Sequence, residues 1–580
     1  MPPVHVHSLE QVLSAIPLEN RYTQLIKYKW QHADFLKELG AKVLTRFPPE
    51  PNGYLHLGHA KAMFVSFSFA KLHDGKTYLR MDDTNPEAES QEYIDSILNS
   101  VEWLGHKPFK YTHTSDYFRR LYDIAVELIR QGKAYVCDQT PEQISEYREK
   151  RLDPPRRDTP VEENLRLFEG MRCGLYKEGT YTLRLRINMQ SDNPNMRDPV
   201  AYRIKFCPHP RTGHEWCIYP SYDFSHCLVD AFEHITHSLC TLEFSIRRDS
   251  YDWLTHVVHG FRTSDRFDVG YRPMQWEFSR LNVTHNVMSK RRLLKLVTDG
   301  YVDGWSDPRL LTLDGLRRRG FTPTIINDFC RTIGVSRNAQ TIDYGVLEHV
   351  ARLELDAIAP RTMAVISPIR VELIDFGTYP EDTSPIEYPL HPKNAEMGTI
   401  QIHLEKFLYI SADDFQETDH PSFYRLTPNQ PVGLRYGPMV QISEVVSTDG
   451  TLLLRCTHTW DQEAKEAIAK QMKQSKKQFT HIHWIGEEAS RLAEVRLYSH
   501  LFLSAKTDDL EDWISDINPQ SLVVKSARVS VGVADSATPK NYARYQFERC
   551  GYFVSDEGST DKNPIFNRIT ELRGNFIMPE

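Results

Sequence analysis

The stretch FPPEPNGYLHLGHAKA at residues 47–62 decides the fold, because it passes from a strand into a helix through a proline-rich turn. A strand is predicted over residues 41–47, where AKVLTRF is ended by two prolines. A helix is predicted over residues 56–73, in which apolar side chains recur at helical spacing. A second strand, KTYLRM, follows at residues 76–81. This alternation of strand and helix is typical of a parallel α/β sheet.

Two histidines stand on the first turn of the predicted helix, His56 and His59, with Gly58 between them. The N-terminus of a helix presents unpaired N–H groups and a partial positive charge, which favour phosphate. Two imidazoles can also donate hydrogen bonds to negative charge that develops on a phosphate. The alternatives are a metal-binding histidine pair, for which no third ligand stands nearby, and two ordinary surface histidines.

A basic cluster, Lys290, Arg291 and Arg292, follows Met288 and Ser289 further along the chain. A short basic loop of this kind can reach over a triphosphate and stabilise its charge in the transition state. Three neighbouring cations on their own are more often a solvated surface. The functional interpretation therefore depends on the histidine motif that precedes the cluster.

The composition limits the class of protein. The chain has 580 residues, enough for several domains of roughly 100–200 residues each. Asp and Glu total 78 against 70 Lys and Arg, so the net charge of −8 excludes a uniformly basic nucleic-acid binder but not a local basic surface. The nine cysteines include no CxxC pair, which argues against a disulfide scaffold and a zinc site. Apolar runs of about 18 residues and signal-peptide patterns are missing, so a cytoplasmic protein is expected.

The character of the sequence changes twice along the chain. Residues 150–215 are rich in Arg, Pro, Asp and Asn with short strands, which predicts an inserted α+β subdomain. A mostly helical stretch is predicted over residues 292–360, and short strands separated by turns then dominate. The predicted fold class is a multidomain α/β protein. Its α/β domain is split by the insert and followed by a helical subdomain and C-terminal β-barrels.

The two motifs together resemble a known family. His-Leu-Gly-His at 56–59 and Val-Met-Ser-Lys-Arg at 287–291, on either side of an insert, resemble the two signatures of class I aminoacyl-tRNA synthetases, which have a Rossmann-like catalytic domain. Further segments resemble the glutamate/glutamine branch, and within it the glutaminyl-tRNA synthetases: PPEPNGYLH (48–56), LRMDDTNP (79–86), CIYPSYDFSHC (217–227) and THSLCTLEF (236–244). The resemblance runs from about residue 40 to about residue 575.

The resemblance implies a ligase that acts in translation. The expected reaction is ATP-dependent attachment of L-glutamine to the 3′ end of tRNA(Gln) through a glutaminyl-adenylate, with release of AMP and pyrophosphate. Magnesium is expected to accompany the ATP, and no protein ligands for a metal are assigned. The expected division is a lead-in (1–39), two catalytic halves (40–116 and 221–291), an acceptor-stem-binding insert (117–220), a helical connecting subdomain (292–360) and two anticodon-binding β-barrels (361–580).

The resemblance also assigns residues to roles. His56, His59 and Lys290 are expected to be catalytic. The expected ATP site comprises Glu50, Pro51, Asn52, His56, Leu57, Gly58, His59, Ala60, Lys61, Ala62, Thr241, Arg280, Leu281, Met288, Ser289 and Lys290. The amino acid is expected to contact Arg46, Asp82, Tyr222 and Cys240. The expected anticodon-binding residues are Arg361, Arg425, Arg435, Gln546 and Arg549, with Tyr424, Tyr436 and Phe547 stacking on bases. Phosphates of the acceptor stem are expected to meet Arg184, Arg186, Arg197 and Arg203.

Two alternatives remain open at this point. Glutamate--tRNA ligases share the fold and both signatures, but they tend to carry an arginine at the position of Cys240. A cation there would pair with a substrate carboxylate, whereas a neutral thiol suits a carboxamide. Met288 in the second signature also favours glutamine. The other alternative is an RNA-binding relative without catalysis, against which the intact signature residues argue.

Overall fold

The structure is a computed structural model that describes residues 7–20, 29–259, 271–448, 450–474, 478–539 and 541–573. In those ranges, no helix has both the length and the apolar character needed to cross a membrane. The chain forms two compact units. One comprises Met1–Asn282 and Ile326–Ile342, and the other Val283–Ile325 and Asp343–Glu580.

The first unit contains a parallel sheet that is interrupted along the chain by an insert. Its elements are α1 (Leu9–Leu13), α2 (Lys29–Leu39), β1 (Leu44–Phe47), α3 (Leu57–Leu72), β2 (Lys76–Met81), α4 (Gln91–Trp103), β3 (Lys110–His113), α5 (Phe118–Arg130), β4 (Ala134–Cys137), α6 (Pro141–Glu149), α7 (Val161–Arg172), β5 (Thr182–Leu185), β6 (Val200–Ile204), β7 (Ile218–Pro220), α8 (Tyr222–Phe232), β8 (His237–Thr241), α9 (Arg248–His259), β9 (Met274–Phe278) and β10 (Leu281–Val283).

The parallel strands bring their carboxyl ends to one edge. Strands β1, β2 and β3 pair in parallel, and so do β8 and β9. The two pieces are joined where the N–H of Thr236 donates to the carbonyl of Leu44 at 2.9 Å. In open α/β sheets, ligands bind beyond the carboxyl ends of the strands. The turn before α3, Asp82 and Thr241 all follow or end such strands.

The insert is built on an antiparallel sheet of β4, β5, β6 and β7. Helices α5 and α7 contribute buried side chains such as Leu128 and Phe168 to its core, together with Leu183 of β5. Arg184 is also fully buried, and its Nε donates to the carbonyl of Asp198 at 2.8 Å. The prediction that Arg184 meets phosphates is therefore wrong, because both faces of this strand are covered.

The second unit carries helices and two seven-stranded sheets. Its elements are α10 (Lys290–Thr298), α11 (Leu313–Arg319), α12 (Pro323–Ile333, shared with the first unit from residue 326), β11 (Gln340–Ile342, in the first unit), α13 (Tyr344–Ile358), β12 (Arg361–Thr362), β13 (Ala364–Ile366), β14 (Pro368–Leu373), β15 (Ile386–Pro389), β16 (Thr399–Ile402), β17 (Phe407–Ser411), β18 (Val432–Leu434), β19 (Met439–Thr448), β20 (Thr451–Thr459), α14 (Gln462–Gln474), β21 (His481–Ile482), β22 (Trp484–Gly486), β23 (Ser490–Tyr498), β24 (Leu522–Ser530), α15 (Val531–Ser536), β25 (Arg544–Phe547), β26 (Gly551–Ser555) and β27 (Ile565–Thr570).

Each of the two sheets encloses its own core. In the first barrel the strand order is β21-β18-β19-β20-β14-β17-β22, and the core includes Leu408 and Trp484. In the second barrel the order is β12-β25-β26-β27-β23-β24-β13, and the core includes Phe547, Phe553 and Phe566. Since Phe547 is fully buried, the prediction that it stacks on a base is wrong.

Candidate functional site

The turn before α3 fixes both signature imidazoles. His56 caps the helix, and its Nδ1 accepts a hydrogen bond from the N–H of Gly58 at 3.0 Å. The Nδ1 of His59 accepts in return from the N–H of His56 at 3.1 Å. A neutral imidazole that accepts at one nitrogen carries its proton on the other. Both rings therefore have Nε2–H as their donor, and the ring centroids lie 3.9 Å apart.

The electrostatic environment keeps both imidazoles neutral. Burial, with a smaller contribution from the charge of Arg280, lowers the pKa of His59 to about 4. Burial and the charges of His59 and Arg280 lower the pKa of His56 well below its ordinary value. Gly58 is required by the same packing, since a Cβ at this position would lie 2.8 Å from Cε1 of His56.

The other residues assigned to ATP in the first unit lie in the turn after β1, in the first turns of α3, at the end of β8 and just beyond β9. Asn52, which follows β1, donates from Nδ2 to Oε2 of Glu50 at 2.6 Å. Thr241 ends β8, and its hydroxyl donates to Glu243, which Arg280 approaches to 3.8 Å from beyond β9. The members of the set in this unit are Glu50, Pro51, Asn52, His56, Leu57, Gly58, His59, Ala60, Lys61, Ala62, Thr241, Arg280 and Leu281.

Lys61 holds α3 in place through its side chain. This ammonium group is buried and donates to the carbonyl of Ser279 at 2.9 Å and to its hydroxyl at 3.3 Å. Ser279 immediately precedes Arg280. The side chain of Lys61 therefore fixes the position of the residue next to Arg280.

Asp82 presents a buried carboxylate oxygen beyond the end of β2. The side chain is 3% exposed, and Oδ1 accepts from the hydroxyl of Thr114 at 3.2 Å. Oδ2 has no hydrogen-bond partner in the described part of the chain. Burial, and then the negative charge of Glu50, raise the pKa of Asp82 to about 7. A ligand ammonium would satisfy the unpaired oxygen and stabilise the ionised form.

Tyr222 and Cys240 share an environment with Arg46. The Tyr222 ring stacks on His226 with centroids 4.7 Å apart, and burial raises the pKa of the Cys240 thiol to about 12. The charge of Arg46 acts on both groups. Since the thiol stays protonated, Cys240 contributes no charge near Tyr222 and Arg46.

The second signature is part of the second unit and begins a helix. Ser289 caps α10, and its hydroxyl accepts from the N–H of Arg292 at 3.4 Å. The expected basic loop is thus wrong in form, because Lys290 is the first residue of α10 and Met288 is buried before it. Arg292 forms an ion pair with Asp508 at 3.1 Å.

Arg361 and Gln546 lie opposite each other where β12 pairs with β25. Arg361 forms an ion pair with Asp356 at 2.9 Å. Gln546 is buried, and its Oε1 has no partner in the ranges that the structure describes. An unpaired buried acceptor of this kind is available to a ligand.

Three further arginines assigned to the anticodon form ion pairs at the junction of the two barrels. Arg425 and Arg549 approach the same carboxylate oxygen of Asp414, at 3.4 and 2.7 Å. Arg435 bonds Glu548 at 2.7 Å and lies 4.7 Å from the ring centroid of Tyr436.

Two of the expected aromatic side chains are accessible at this junction. Tyr436 is 37% exposed and Tyr424 is 40% exposed. The structure therefore brings the five assigned polar residues and these two rings together around β25 and the turn that follows it.

Three family models match the chain. The catalytic domain of the class I tRNA synthetases (E and Q) matches residues 42–357. Two models of the anti-codon binding domain of the same family match residues 359–458 and 481–556. The chain belongs to the class I tRNA synthetases of the glutamate and glutamine group. The predicted family, fold class and enzyme class, an aminoacyl-tRNA ligase, are confirmed.

Curated relatives of this synthetase extend over most of the chain. A "Probable glutamine--tRNA ligase" of Dictyostelium discoideum is 48% identical over 94% of the chain and 67% of the relative. A glutamine--tRNA ligase of Lupinus luteus is 48% identical over 93% of the chain and 66% of the relative. One from Clostridium kluyveri is 43% identical over 93% of the chain and 95% of the relative. The chain thus spans about two thirds of the length of the first two relatives.

The synthetase also contains a buried ionic network that sequence reasoning missed. Arg46 is paired with Asp230 at 3.1 Å and donates to the carbonyl of Leu239 at 2.7 Å. Arg80 bonds Asp230 at 2.5 Å and Glu233 at 2.7 Å. An aspartate inside the apolar run CLVDAF was the available signal, because a charge among buried side chains requires a partner.

Proposed function

We propose that this synthetase attaches L-glutamine to the 3′ end of tRNA(Gln) in an ATP-dependent reaction. The observation that carries this proposal is the 43–48% identity to glutamine--tRNA ligases over most of the chain. A glutamine carboxylate oxygen attacks the α-phosphorus of ATP, and the bond to pyrophosphate breaks. A ribose hydroxyl of the tRNA then attacks the acyl carbon, and AMP leaves as the ester forms.

The first signature supports phosphate binding by neutral donors. The Nε2–H groups of His56 and His59 are oriented by the backbone hydrogen bonds that their Nδ1 atoms accept. Oriented donors stabilise charge that develops on a phosphate because they need no reorganisation during the reaction. Because its segment resembles the second signature, we assign Lys290 to ATP as a positive charge. Mg²⁺ is proposed to accompany ATP through the phosphate oxygens.

Electrostatics near Tyr222 favour a carboxamide over a carboxylate. Asp82 is proposed to bind the α-ammonium group of the amino acid. The guanidinium groups of Arg46 and Arg247 are already neutralised by aspartates, at 3.1 and 2.5 Å. A glutamate carboxylate would therefore be placed beside a neutral thiol and paired cations, which is costly for a desolvated charge.

The anticodon is proposed to bind at the junction of the two barrels. Arg361, Arg425, Arg435 and Arg549 offer donors, and Gln546 offers an acceptor. Splayed bases of single-stranded RNA are read by such groups and stacked on aromatic rings. The insert is proposed to bind the acceptor stem through Arg186, Arg197 and Arg203, which are partly exposed.

Side-by-side charging with total tRNA tests this proposal. Purified protein is given ATP and either radiolabelled glutamine or glutamate, and acid-precipitable tRNA is counted. Charging with glutamine alone is expected. Charging with glutamate alone would establish the alternative substrate, and no charging with either would favour a binding protein. His59→Asn protein prepared in parallel controls for contaminating host synthetase.

A further inference from the structure

A polar cavity of about 620 Å³ lies within the second unit. Its walls come from α11, α13 and the strands β23 and β27 of the second barrel. Four arginines line it: Arg319, Arg352, Arg568 and Arg573. None of them belongs to the signatures or to the proposed anticodon site.

Two of these arginines are buried, and in the described part of the chain neither has a carboxylate oxygen closer than the 3.9 Å between Arg352 and Glu348. Arg319 is 4% exposed, and its hydrogen bonds to described residues are long ones, of 3.3–3.5 Å, to main-chain carbonyls. Arg352 is 7% exposed, and one of its NH groups donates to the hydroxyl of Thr570 at 3.0 Å. Its Nε has no acceptor among the residues that the structure describes. Buried donors of a charged group are normally satisfied, so a missing acceptor is expected here.

Other buried arginines in the protein are paired differently. Arg46 and Arg80 each contact the buried carboxylate of Asp230, at 3.1 and 2.5 Å. Burial by itself lowers the pKa of Arg80, but the charges of Glu233 and Asp230 raise it above the ordinary value. At Arg352, burial lowers the pKa below the ordinary value. The protein therefore neutralises Arg46 and Arg80 with carboxylates but leaves Arg352 undercompensated. Arg184, which also lacks a carboxylate partner among the described residues, differs from Arg352 in that its Nε donates to a carbonyl at 2.8 Å.

The acidic residues of the cavity wall do not neutralise all four of its arginines. Asp343 caps α13 and accepts from the N–H of Gly345 at 2.6 Å. Glu571 is 62% exposed at 3.2 Å from Arg568, and Glu348 lies 3.9 Å from Arg352. Four cations thus face three carboxylates, one of which is committed to a helix cap.

We propose that this cavity binds a phosphate-bearing anion, with Arg352 as its central donor. Guanidinium groups match phosphate oxygens in a bidentate geometry, and several of them can surround one phosphate. The volume lies within the range of roughly 300–1,000 Å³ that is typical of small-molecule sites. A phosphate with an attached group therefore fits, either as a free monoester or as a phosphodiester of a bound RNA. The inference does not depend on which amino acid the enzyme charges.

The first source, a free phosphate, is tested by measuring phosphate binding to the 580-residue protein. Radiolabelled inorganic phosphate is measured by equilibrium dialysis at constant ionic strength, for wild type, Arg352→Met, Arg568→Gln and the control Arg491→Gln. Arg491 is an exposed arginine of the same barrel, paired with Asp535 at 2.6 Å. Loss of a charge-assisted pair is expected to weaken binding roughly tenfold or more in the two cavity variants and to leave the control unchanged. If Arg352→Met fails to fold, phosphate binding by Arg568→Gln still tests the site.

The second source, a phosphodiester of bound RNA, is tested by measuring the affinity for labelled tRNA at several salt concentrations. If a phosphodiester of the tRNA occupies the cavity, the slope of log affinity against log salt falls by about one in the cavity variants and not in the control. Either result supports the site and identifies its source. The proposal is overturned if both cavity variants keep wild-type phosphate binding and wild-type salt slopes.

Discussion

The helices α3 and α10 both carry a signature segment at their start, but they begin differently. At α3 the signature side chains themselves form the cap, because His56 and His59 accept backbone hydrogen bonds. At α10 the cap is Ser289, and Lys290 stands in the first turn as an exposed cation. A cation at a helix N-terminus opposes the helix dipole. The first signature thus stabilises the start of α3, whereas the exposed Lys290 of the second signature lowers the stability of α10.

Lys290→Met is expected to have the largest effect on activity. Removing a charge that acts on the transition state costs roughly 100- to 1,000-fold in kcat for glutamine charging. The free energy of unfolding is expected to stay constant or rise by about 0.3–1 kcal/mol, since a cation leaves the first turn. Aminoacylation kinetics and urea unfolding measure the two quantities. Lys295→Met, in the last turn of the same helix, is the control; an equal loss of activity there would contradict a specific role.

His56→Ala is expected to affect both activity and stability. The loss of one oriented donor is expected to reduce kcat by roughly 100-fold. Loss of the cap lowers the free energy of unfolding by about 1 kcal/mol. His56→Asn restores a good capping side chain without the Nε2–H donor, so it should recover stability but not kcat. Recovery of kcat by asparagine would show that the ring acts only through the fold.

Asp82→Asn is expected to raise the KM for glutamine by roughly 10- to 100-fold, through loss of a charge-assisted hydrogen bond. Wild-type KM should fall as pH rises through about 7, because the carboxylate must ionise to bind an ammonium group. The variant should lack this dependence.

The same substitution is also expected to change how stability depends on pH. The folded pKa of Asp82, about 7, lies above the ordinary value of 3.8. The folded protein therefore holds a proton that the unfolded chain has lost, and stability from this group falls as pH rises between these values. Asp83 and Glu89, whose pKa values burial raises to about 7 and about 8, add to the same slope. The difference between wild type and Asp82→Asn in the slope of unfolding free energy against pH gives the contribution of Asp82 alone. Identical slopes would contradict the raised pKa of this residue.

Arg292→Gln is expected to have the smallest effect. Its ion pair with Asp508 and its position over the Trp513 ring belong to the packing of α10. We expect less than threefold change in charging and a loss of about 0.5–1 kcal/mol in unfolding free energy. A larger loss of activity than in Lys290→Met would mean that Arg292 acts in catalysis and Lys290 in the packing of α10.

Local patterns in the sequence predicted the frame around the first signature well. The strand expected at 76–81 is found at Lys76–Met81, and the helix expected at 56–73 is found at Leu57–Leu72. Prolines and helical spacing act over a few residues, so they are visible without knowledge of the tertiary structure. The helical form of the second signature was missed, since Ser289 was not recognised as a cap.

The features that the sequence did not predict depend on contacts between residues that are far apart in the chain. Arg184 alternates with leucines as an exposed residue of a strand would, but its carbonyl partner at Asp198 lies on a later segment. Arg46, which the resemblance assigns to the amino acid, is likewise paired with Asp230, a residue far along the chain. Whether an arginine binds a ligand or a carboxylate of the same chain depends on contacts across many residues.

Arg425 and Arg549 share one carboxylate oxygen of Asp414, so binding at the proposed anticodon site would be competitive. Asp414 contacts both cations before any ligand arrives. An incoming hydrogen-bond acceptor must therefore displace an internal rival rather than water alone. A base that presents a donor in place of an acceptor leaves both ion pairs closed and gains nothing from these two arginines. Selectivity between bases at the proposed site would then depend on this exchange of one acceptor for another. Mutation of Asp414 would weaken that selectivity and strengthen the non-specific attraction of the two arginines for RNA.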